Sequence, residues 1–160
     1  MAVPPLGVRG SRVDLLFDSF VSMGRILAID YGTKRTGLAV TDPLRIIATA
    51  LETVETKTVL DFLTGYCAKE PVDEIVIGLP RTLKNEDSET APAVRVFAEE
   101  LKKKFPDKPI HFVDERFTSS IAKQTMIDGG MKKKDRRDKS NVDKISAVLI
   151  LQTWMQSNDR

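Results

Sequence analysis

Apolar and polar positions follow a short period in the first part of the chain and a longer one further on. Between residues 25 and 54, brief apolar runs separated by turn residues predict three strands, at 25–31, 36–42 and 46–54. The connections Gly-Thr-Lys-Arg and Asp-Pro-Leu are typical of tight turns. Strands joined by such short turns pair antiparallel, so we expect a meander of three strands.

The pattern then changes to alternating helices and strands. It predicts helices at 57–69, 91–105, 119–128 and 142–156, with strands at 74–79 and 110–115. Strands separated by helices run parallel. The expected fold is therefore α/β, with a mixed five-stranded sheet of three antiparallel strands followed by two parallel ones, flanked by helices.

Length and composition fit one globular domain. The chain has 160 residues, of which 41% are hydrophobic and 30% charged, and nothing in it approaches a membrane span. We expect residues 1–22 to be a poorly ordered N-terminal extension and residues 23–157 to form a single cytoplasmic domain. The one cysteine, Cys67, excludes an internal disulfide and a cysteine-rich zinc site.

Acidic residues stand where two of the parallel strands end. Asp30 closes the first apolar run, and Asp114 and Glu115 close the run at 110–115. The carboxyl ends of parallel strands gather at one edge of a sheet, where functional sites tend to form. Each acid also has a structural explanation: Asp30 could cap a turn, and Asp114 or Glu115 could pair with Arg116.

A further acid begins the last predicted helix. Asp143 stands three residues after Ser140, so the two could form a capping box with Ser140 as the N-cap. Asp143 also shares a helical stripe with the apolar residues Ala147, Ile150 and Trp154. If that stripe packs on the sheet, it carries Asp143 towards the acids at the strand ends.

Convergence of Asp30, Glu115 and Asp143 would create strong repulsion, which protons or cations must neutralise. Oxygen ligands in a chain with one cysteine and one histidine suit Mg²⁺ or Mn²⁺. Two such ions about 4 Å apart are typical of phosphoryl chemistry, so we expect a two-metal site. His111 and Cys67 are interpreted as structural residues rather than as a base or a nucleophile.

Cations and hydroxyls accompany the predicted strand ends. The net charge of +2 is too small to indicate a polyanionic partner, but residues 131–139 hold six bases and two acids. Such a run is either a solvated loop or a surface that meets phosphates, and its place next to the acids favours contact with a nucleic-acid backbone. The predicted phosphate-binding residues are Thr33, Lys34, Arg81, Arg116, Thr118, Lys132, Lys133, Lys134, Arg136, Arg137 and Lys139.

Four stretches occur in the order AIDYGTKRTGLAV, EIVIGLP, VDERFTS and KSNVDKISAVLILQ. Together they resemble the YqgF (RuvX-type) family of bacterial proteins. The first stretch alone is less specific, because a similar Asp-x-Gly-Thr hairpin occurs in actin-like ATPases and sugar kinases. The resemblance implies a ribonuclease H-like fold, with metal-binding acids at Asp30, Glu115 and Asp143 and with Asp114 as an accessory ligand.

The resemblance also implies a function, because the family is described as nucleases that mature precursor 16S rRNA and as Holliday junction resolvases. The implied reaction is hydrolysis of a phosphodiester by metal-activated water, leaving a 5′-phosphate and a 3′-hydroxyl. We expect 5′-end processing of precursor rRNA on a ribosome or pre-ribosomal particle; cutting of a four-way DNA junction by a homodimer is the alternative. A non-catalytic nucleic-acid-binding module is a further hypothesis. A nucleotide phosphotransferase would need a second copy of the fold, for which 160 residues leave no room.

Overall fold

The computed structural model describes residues 24–81, 88–115 and 118–158, so the predictions for residues 1–22 and for Arg116 fall outside it. Five strands of the described part form one sheet: β1 Arg25–Asp30, β2 Arg35–Thr41, β3 Ala48–Glu55, β4 Val72–Leu79 and β5 Ile110–Asp114. A 3-10 turn at Thr56–Thr58 leads into the first helix. The helices are α1 Val59–Lys69, α2 Ala91–Lys104, α3 Thr118–Asp128, α4 Lys133–Arg136 and α5 Lys139–Asn158.

The sheet has the strand order β3-β2-β1-β4-β5. β1 pairs antiparallel with β2, and β2 pairs antiparallel with β3, so the predicted meander is confirmed. β4 runs parallel to β1, and β5 runs parallel to β4, as expected for strands connected through helices. The carboxyl ends of β1, β4 and β5 therefore lie at one edge of the sheet.

Helices cover both faces of this sheet. Over one face, α1 and α2 pack on alternate strand residues such as Leu27, Ile29 and Ile77. Over the other face, α5 packs on Ala28 and Val113. Successive side chains of a strand point to opposite faces, so a shift of one residue would exchange the two cores. Burial on both faces thus fixes the register in which the strands present their ends.

The third strand begins later than predicted. Ile46 and Ile47 lie in a turn with 67% and 62% of their surfaces exposed, and β3 starts at Ala48. The Asp42 carboxylate accepts hydrogen bonds from the backbone N–H groups of both isoleucines, at 2.7 and 2.8 Å. Arg45, just before them, has a left-handed backbone with φ of 57°. The prediction of a strand from residue 46 is wrong, because this turn overrides the β-propensity of the two isoleucines.

α5 is the helix that positions the last predicted acid. It spans 20 residues, and Ala147, Ile150 and Leu151 are buried against the sheet. Trp154 packs against the same core, so the apolar stripe predicted for this helix is confirmed. None of the helices in the described ranges combines the length and the apolar character needed to cross a bilayer.

Candidate active site

Side-chain alternation brings two of the predicted acids to the same face of the sheet. Ala28 and Val113 pack beneath α5. Asp30 stands two residues after Ala28, and Glu115 stands two residues after Val113. Because side chains two residues apart in a strand face the same side, both carboxylates are on the α5 side. Asp114 is exposed, and by the same alternation it points to the other face. The adjacent acids Asp114 and Glu115 thus lie on different sides of the sheet, with Glu115 beside Asp30.

The carboxyl groups of Asp30 and Glu115 share a side-chain hydrogen bond. Burial, followed by the charge of Asp30 and this hydrogen bond, raises the pKa of Glu115 to about 9. Burial, followed by the charge of Asp143, raises the pKa of Asp30 to about 6, although the hydrogen bond from Glu115 works in the opposite direction. At neutral pH the pair therefore keeps a proton between its two carboxyl groups unless a cation takes its place.

Two strand glycines make room for the acids. A Cβ at Gly78 would collide with the Glu115 carboxylate and would lie 2.5 Å from Ile150 Cδ1. A Cβ at Gly37 would collide with the backbone of Asp143, whose carbonyl carbon would lie at 2.5 Å. The sequence predictions missed both residues, although a glycine inside a strand is a signal that another group approaches closely.

The start of α5 differs from the prediction. The carboxylate of Asp138 accepts a hydrogen bond from the Ser140 N–H at 2.9 Å and so caps the helix, which begins at Lys139. Ser140 lies inside the helix, where its carbonyl accepts a hydrogen bond from the Thr53 hydroxyl at 3.0 Å. The capping box that Ser140 and Asp143 could have formed is therefore absent, and this structural explanation of Asp143 does not hold. Because Asp138 performs the capping, the Asp143 carboxylate remains available for other contacts.

Asp143 lies next to the acid pair and forms an ion pair with an arginine. Arg35 Nε is 3.3 Å from Asp143 Oδ2. Burial raises the pKa of Asp143, while the hydrogen bond and the charge of Arg35 lower it. As the side chains stand, no three histidine, cysteine, aspartate or glutamate side chains of the described residues are close enough to hold one metal ion. The structure thus joins Asp30 to Glu115 and sets Asp143 beside them, held by a residue that the sequence predictions missed.

The turn between β1 and β2 carries the predicted residues Thr33 and Lys34, and both are exposed. Thr56, the residue after β3, fixes this turn: its hydroxyl donates to the Gly32 carbonyl at 2.5 Å, and its N–H donates to the Lys34 carbonyl at 3.0 Å. The turn therefore presents a hydroxyl and an ammonium group beside Asp30 on a backbone that is tied down.

The remaining predicted phosphate-binding residues lie on three segments. Arg81 lies two residues after the end of β4 and is partly exposed, and Thr118 is the first residue of α3. The basic run contains the short helix α4 and leads into α5, so it is neither a plain loop nor distant from Asp143. In it, Arg136 is partly buried, and the exposed cations are Lys132, Lys133, Lys134, Arg137 and Lys139.

The two residues interpreted as structural lie away from the acids. His111 stacks on Trp154 with ring centroids 4.4 Å apart, and its Nε2 is 3.3 Å from Glu74 Oε2, near the opposite end of the strands. Cys67 is half-buried on α1, and burial raises the pKa of its thiol, which keeps it protonated.

The donor set at the strand ends fits a divalent cation. Asp30 and Glu115 supply hard oxygen ligands in a partly buried site where their charges would otherwise repel. The hydroxyl of Ser146, one turn of α5 after Asp143, is buried and has no hydrogen-bond partner among the described residues. Such an orphan hydroxyl suits a hydrated ion, since Mg²⁺ usually keeps several of its waters.

Comparison with known proteins gives one family. The sequence profile of the RuvX family, described as Holliday junction resolvase, matches residues 24–157. A protein of Bacteroides thetaiotaomicron is 55% identical over 135 residues, which cover 84% of this chain and 98% of the relative. A protein of Porphyromonas gingivalis is 56% identical over 138 residues, which cover 86% of this chain and 100% of the relative. Both bear the name "Putative pre-16S rRNA nuclease".

Among solved structures, Thermus thermophilus RuvC in complex with a Holliday junction substrate superimposes with a TM-score of 0.53. It is 16% identical, and the match covers 84% of this chain and 96% of RuvC. Another structure of Thermus thermophilus RuvC gives a TM-score of 0.51 at 12% identity, covering 83% of this chain and 95% of that one. At this level of identity the likeness concerns the fold, and the predicted ribonuclease H-like architecture is confirmed.

Proposed function

The chain belongs to the RuvX family and is a nuclease, that is, a hydrolase of phosphodiester bonds. We propose that it is a metal-dependent endonuclease that processes the 5′ end of precursor 16S rRNA. The observation that carries the metal dependence is the contact between Asp30 and Glu115. Two carboxyl groups that share a proton in a partly buried site form a ready binding place for a hard cation.

Asp30, Glu115 and Asp143 would hold Mg²⁺ or Mn²⁺, and we propose a pair of ions, as is typical of phosphoryl chemistry. The bound metal would polarise a phosphate oxygen and activate the attacking water. Asp30 and Glu115 would give up their shared proton on becoming ligands, so a proton would be released when a metal is bound. The exposed Thr33 and Lys34 would orient the phosphate next to Asp30.

Precursor rRNA is the favoured substrate because the full-length relatives at about 55% identity carry that name. A four-way DNA junction, cut by a homodimer, is the second candidate, supported by the family description and by the fold shared with RuvC, whose structure contains a Holliday junction substrate. The exposed cations at residues 132–139 suit either substrate, since contacts to the phosphate backbone carry no sequence information. We place this activity in the cytoplasm, on a pre-ribosomal particle.

One assay tests the proposal. The purified chain is given Mg²⁺ and either a precursor 16S rRNA fragment that contains the 5′ processing site or a four-way DNA junction. We expect cleavage of the rRNA fragment by the wild type, none in EDTA and none by Asp30→Asn. The control is Asp61→Asn, which neutralises an exposed acid on α1 at the opposite face and should cut normally.

Cleavage of the junction alone would favour the second candidate. Undiminished cutting by the Asp30→Asn variant would refute the metal centre. Binding of both substrates without cleavage of either would indicate a non-catalytic module.

A further inference from the structure

Arg35 connects the candidate metal centre to the surface that a substrate would approach. Arg35, Gly37 and Ala39 are alternate residues of β2, so they face the same side of the sheet. On that side, Ala39 packs beneath α5. Gly37 is the residue opposite Asp30 in the sheet. Arg35 therefore lies at the same edge and on the same face as the acids, although the sequence predictions gave it no role.

The bond between Arg35 and Asp143 is a weak one. It uses a single nitrogen, Nε, at 3.3 Å, and the two side chains are 41% and 24% exposed. Within the described residues, the two terminal nitrogens of the guanidinium make no hydrogen bond. Arginine binds phosphate preferentially through two parallel N–H donors, so a nucleic-acid phosphate at this edge would be a stronger partner than Asp143.

Asp143 is set apart from the other two acids in this structure. Asp30 and Glu115 are in contact, whereas Asp143 acts on Asp30 through its charge alone and is bonded to Arg35. We propose that Arg35 is a positioning residue that holds Asp143 back from the metal centre until a phosphodiester of the substrate takes over its guanidinium. The substrate then helps to complete the metal site that cuts it.

This inference rests on the proposed metal-dependent nuclease, and it makes two equilibrium predictions that need no turnover. Without nucleic acid, removal of Arg35 releases Asp143, so the affinity for metal should rise. Without metal, neutralisation of Asp143 releases Arg35, so the affinity for nucleic acid should rise. A single, partly exposed ion pair is worth up to about 1 kcal/mol, so we expect a change of up to about fivefold in each case.

The first experiment measures Mn²⁺ binding to the RNA-free protein by electron paramagnetic resonance. Arg35→Gln should bind Mn²⁺ more tightly than the wild type, by up to about fivefold. Arg25→Gln is the control for net charge, because Arg25 makes a similar ion pair, with Glu70 at 3.4 Å, at the opposite end of β1. Arg35→Gln should have no effect in an Asp143→Asn background. An equal gain in that background, or no gain in the wild-type one, would overturn the proposal.

The second experiment measures binding of a fluorescein-labelled RNA hairpin in EDTA by anisotropy, so that no cleavage occurs. Asp143→Asn should tighten binding, and the gain should vanish when Arg35→Gln is also present. A gain that persists in the double variant would mean simple loss of negative charge and would count against the proposal.

The proposed function can fail separately from the role of Arg35. If Asp30→Asn binds Mn²⁺ as well as the wild type does, the metal centre itself is wrong. If Mn²⁺ binding depends on Asp30 but does not respond to Arg35→Gln, the role of Arg35 alone is wrong.

Discussion

Replacing Glu115 by glutamine should stabilise the metal-free protein while it abolishes cleavage. In the folded chain the pKa of Glu115 is raised from 4.5 to about 9, mainly by burial and then by Asp30. At neutral pH the folded protein therefore keeps a proton that the unfolded chain releases. Neutral pH lies about 2.5 units above the ordinary pKa, and each unit is worth about 1.4 kcal/mol, so this proton costs up to about 3 kcal/mol of stability.

Glutamine has nearly the shape of a protonated glutamate and can still donate a hydrogen bond to Asp30. We expect Glu115→Gln to raise the free energy of unfolding by about 1–3 kcal/mol at pH 7 in EDTA. The sign follows from the direction of the shift. Since the folded state binds more protons, wild-type stability falls as the pH rises from about 4.5 to about 9, and the advantage of the variant grows over the same range.

Urea denaturation of both proteins at pH 4, 7 and 8.5 in EDTA measures this difference. The two proteins should be almost equally stable at pH 4, where Glu115 is protonated in the folded and unfolded states alike. Addition of Mg²⁺ should stabilise the wild type and leave the variant nearly unchanged. A wild type that is at least as stable as the variant at all three pH values would refute the reasoning about the acid pair.

Further predictions concern packing, capping, metal and charge. Gly37→Ala forces a methyl group against the backbone of Asp143 and should lower the free energy of unfolding by about 1–3 kcal/mol. Gly78→Ala displaces both the Glu115 carboxylate and the buried Ile150 side chain, so it should lower stability and cleavage together; unchanged stability in urea unfolding for both variants would contradict this close packing. Asp138→Ala should cost about 1 kcal/mol in urea unfolding through loss of the helix cap. Mg²⁺ should raise the melting temperature of the wild type but not of Asp30→Asn, and a rise in both would point to a different site. Neutralising residues 132–134 should weaken RNA binding. The slope of log binding constant against log salt concentration should become shallower by about one for each phosphate contact that is lost, and a slope equal to that of the wild type would show that this run does not contact RNA.

The positions of the acids could be predicted because they follow from rules that act along the chain. β1 is buried on both faces, so its apolar run ends at the charged residue Asp30. Because helices connect the parallel strands, β1, β4 and β5 end at the same edge of the sheet. The pairing of Asp30 with Glu115 rather than with Asp114 then follows from the alternation of side chains along β5.

The errors arose where a local contact competed with the general pattern. Ile46 and Ile47 look like strand residues, but hydrogen bonds to Asp42 hold them in a turn. Ser140 looks like a helix cap, but Asp138 stands two residues earlier and takes that role. In each case a nearby aspartate accepts hydrogen bonds from backbone N–H groups. Residue propensity alone does not predict which nearby side chain will make such bonds.

The residues missed by sequence reasoning depend on long-range packing. Gly37 and Gly78 are needed only because α5 and Glu115 approach the strands at those two points. Arg35 looks like an ordinary exposed cation in the turn until the fold brings it to Asp143. Hydrophobic periodicity predicts that α5 covers the sheet, but it does not predict which strand residue the start of the helix will touch.

The distance along the chain between the parts of the site has a consequence for the nascent protein. The contact of Arg35 with Asp143 joins positions 108 residues apart, and the third acid comes from the last of the described helices. Chains are synthesised from the amino end, so β1 leaves the ribosome long before α5. The polypeptide therefore spends most of its own translation without a complete cutting centre, next to the class of RNA it is proposed to trim. If Asp143 is a metal ligand as proposed, a prematurely terminated product that ends before α5 would lack the third acid and should not cut RNA.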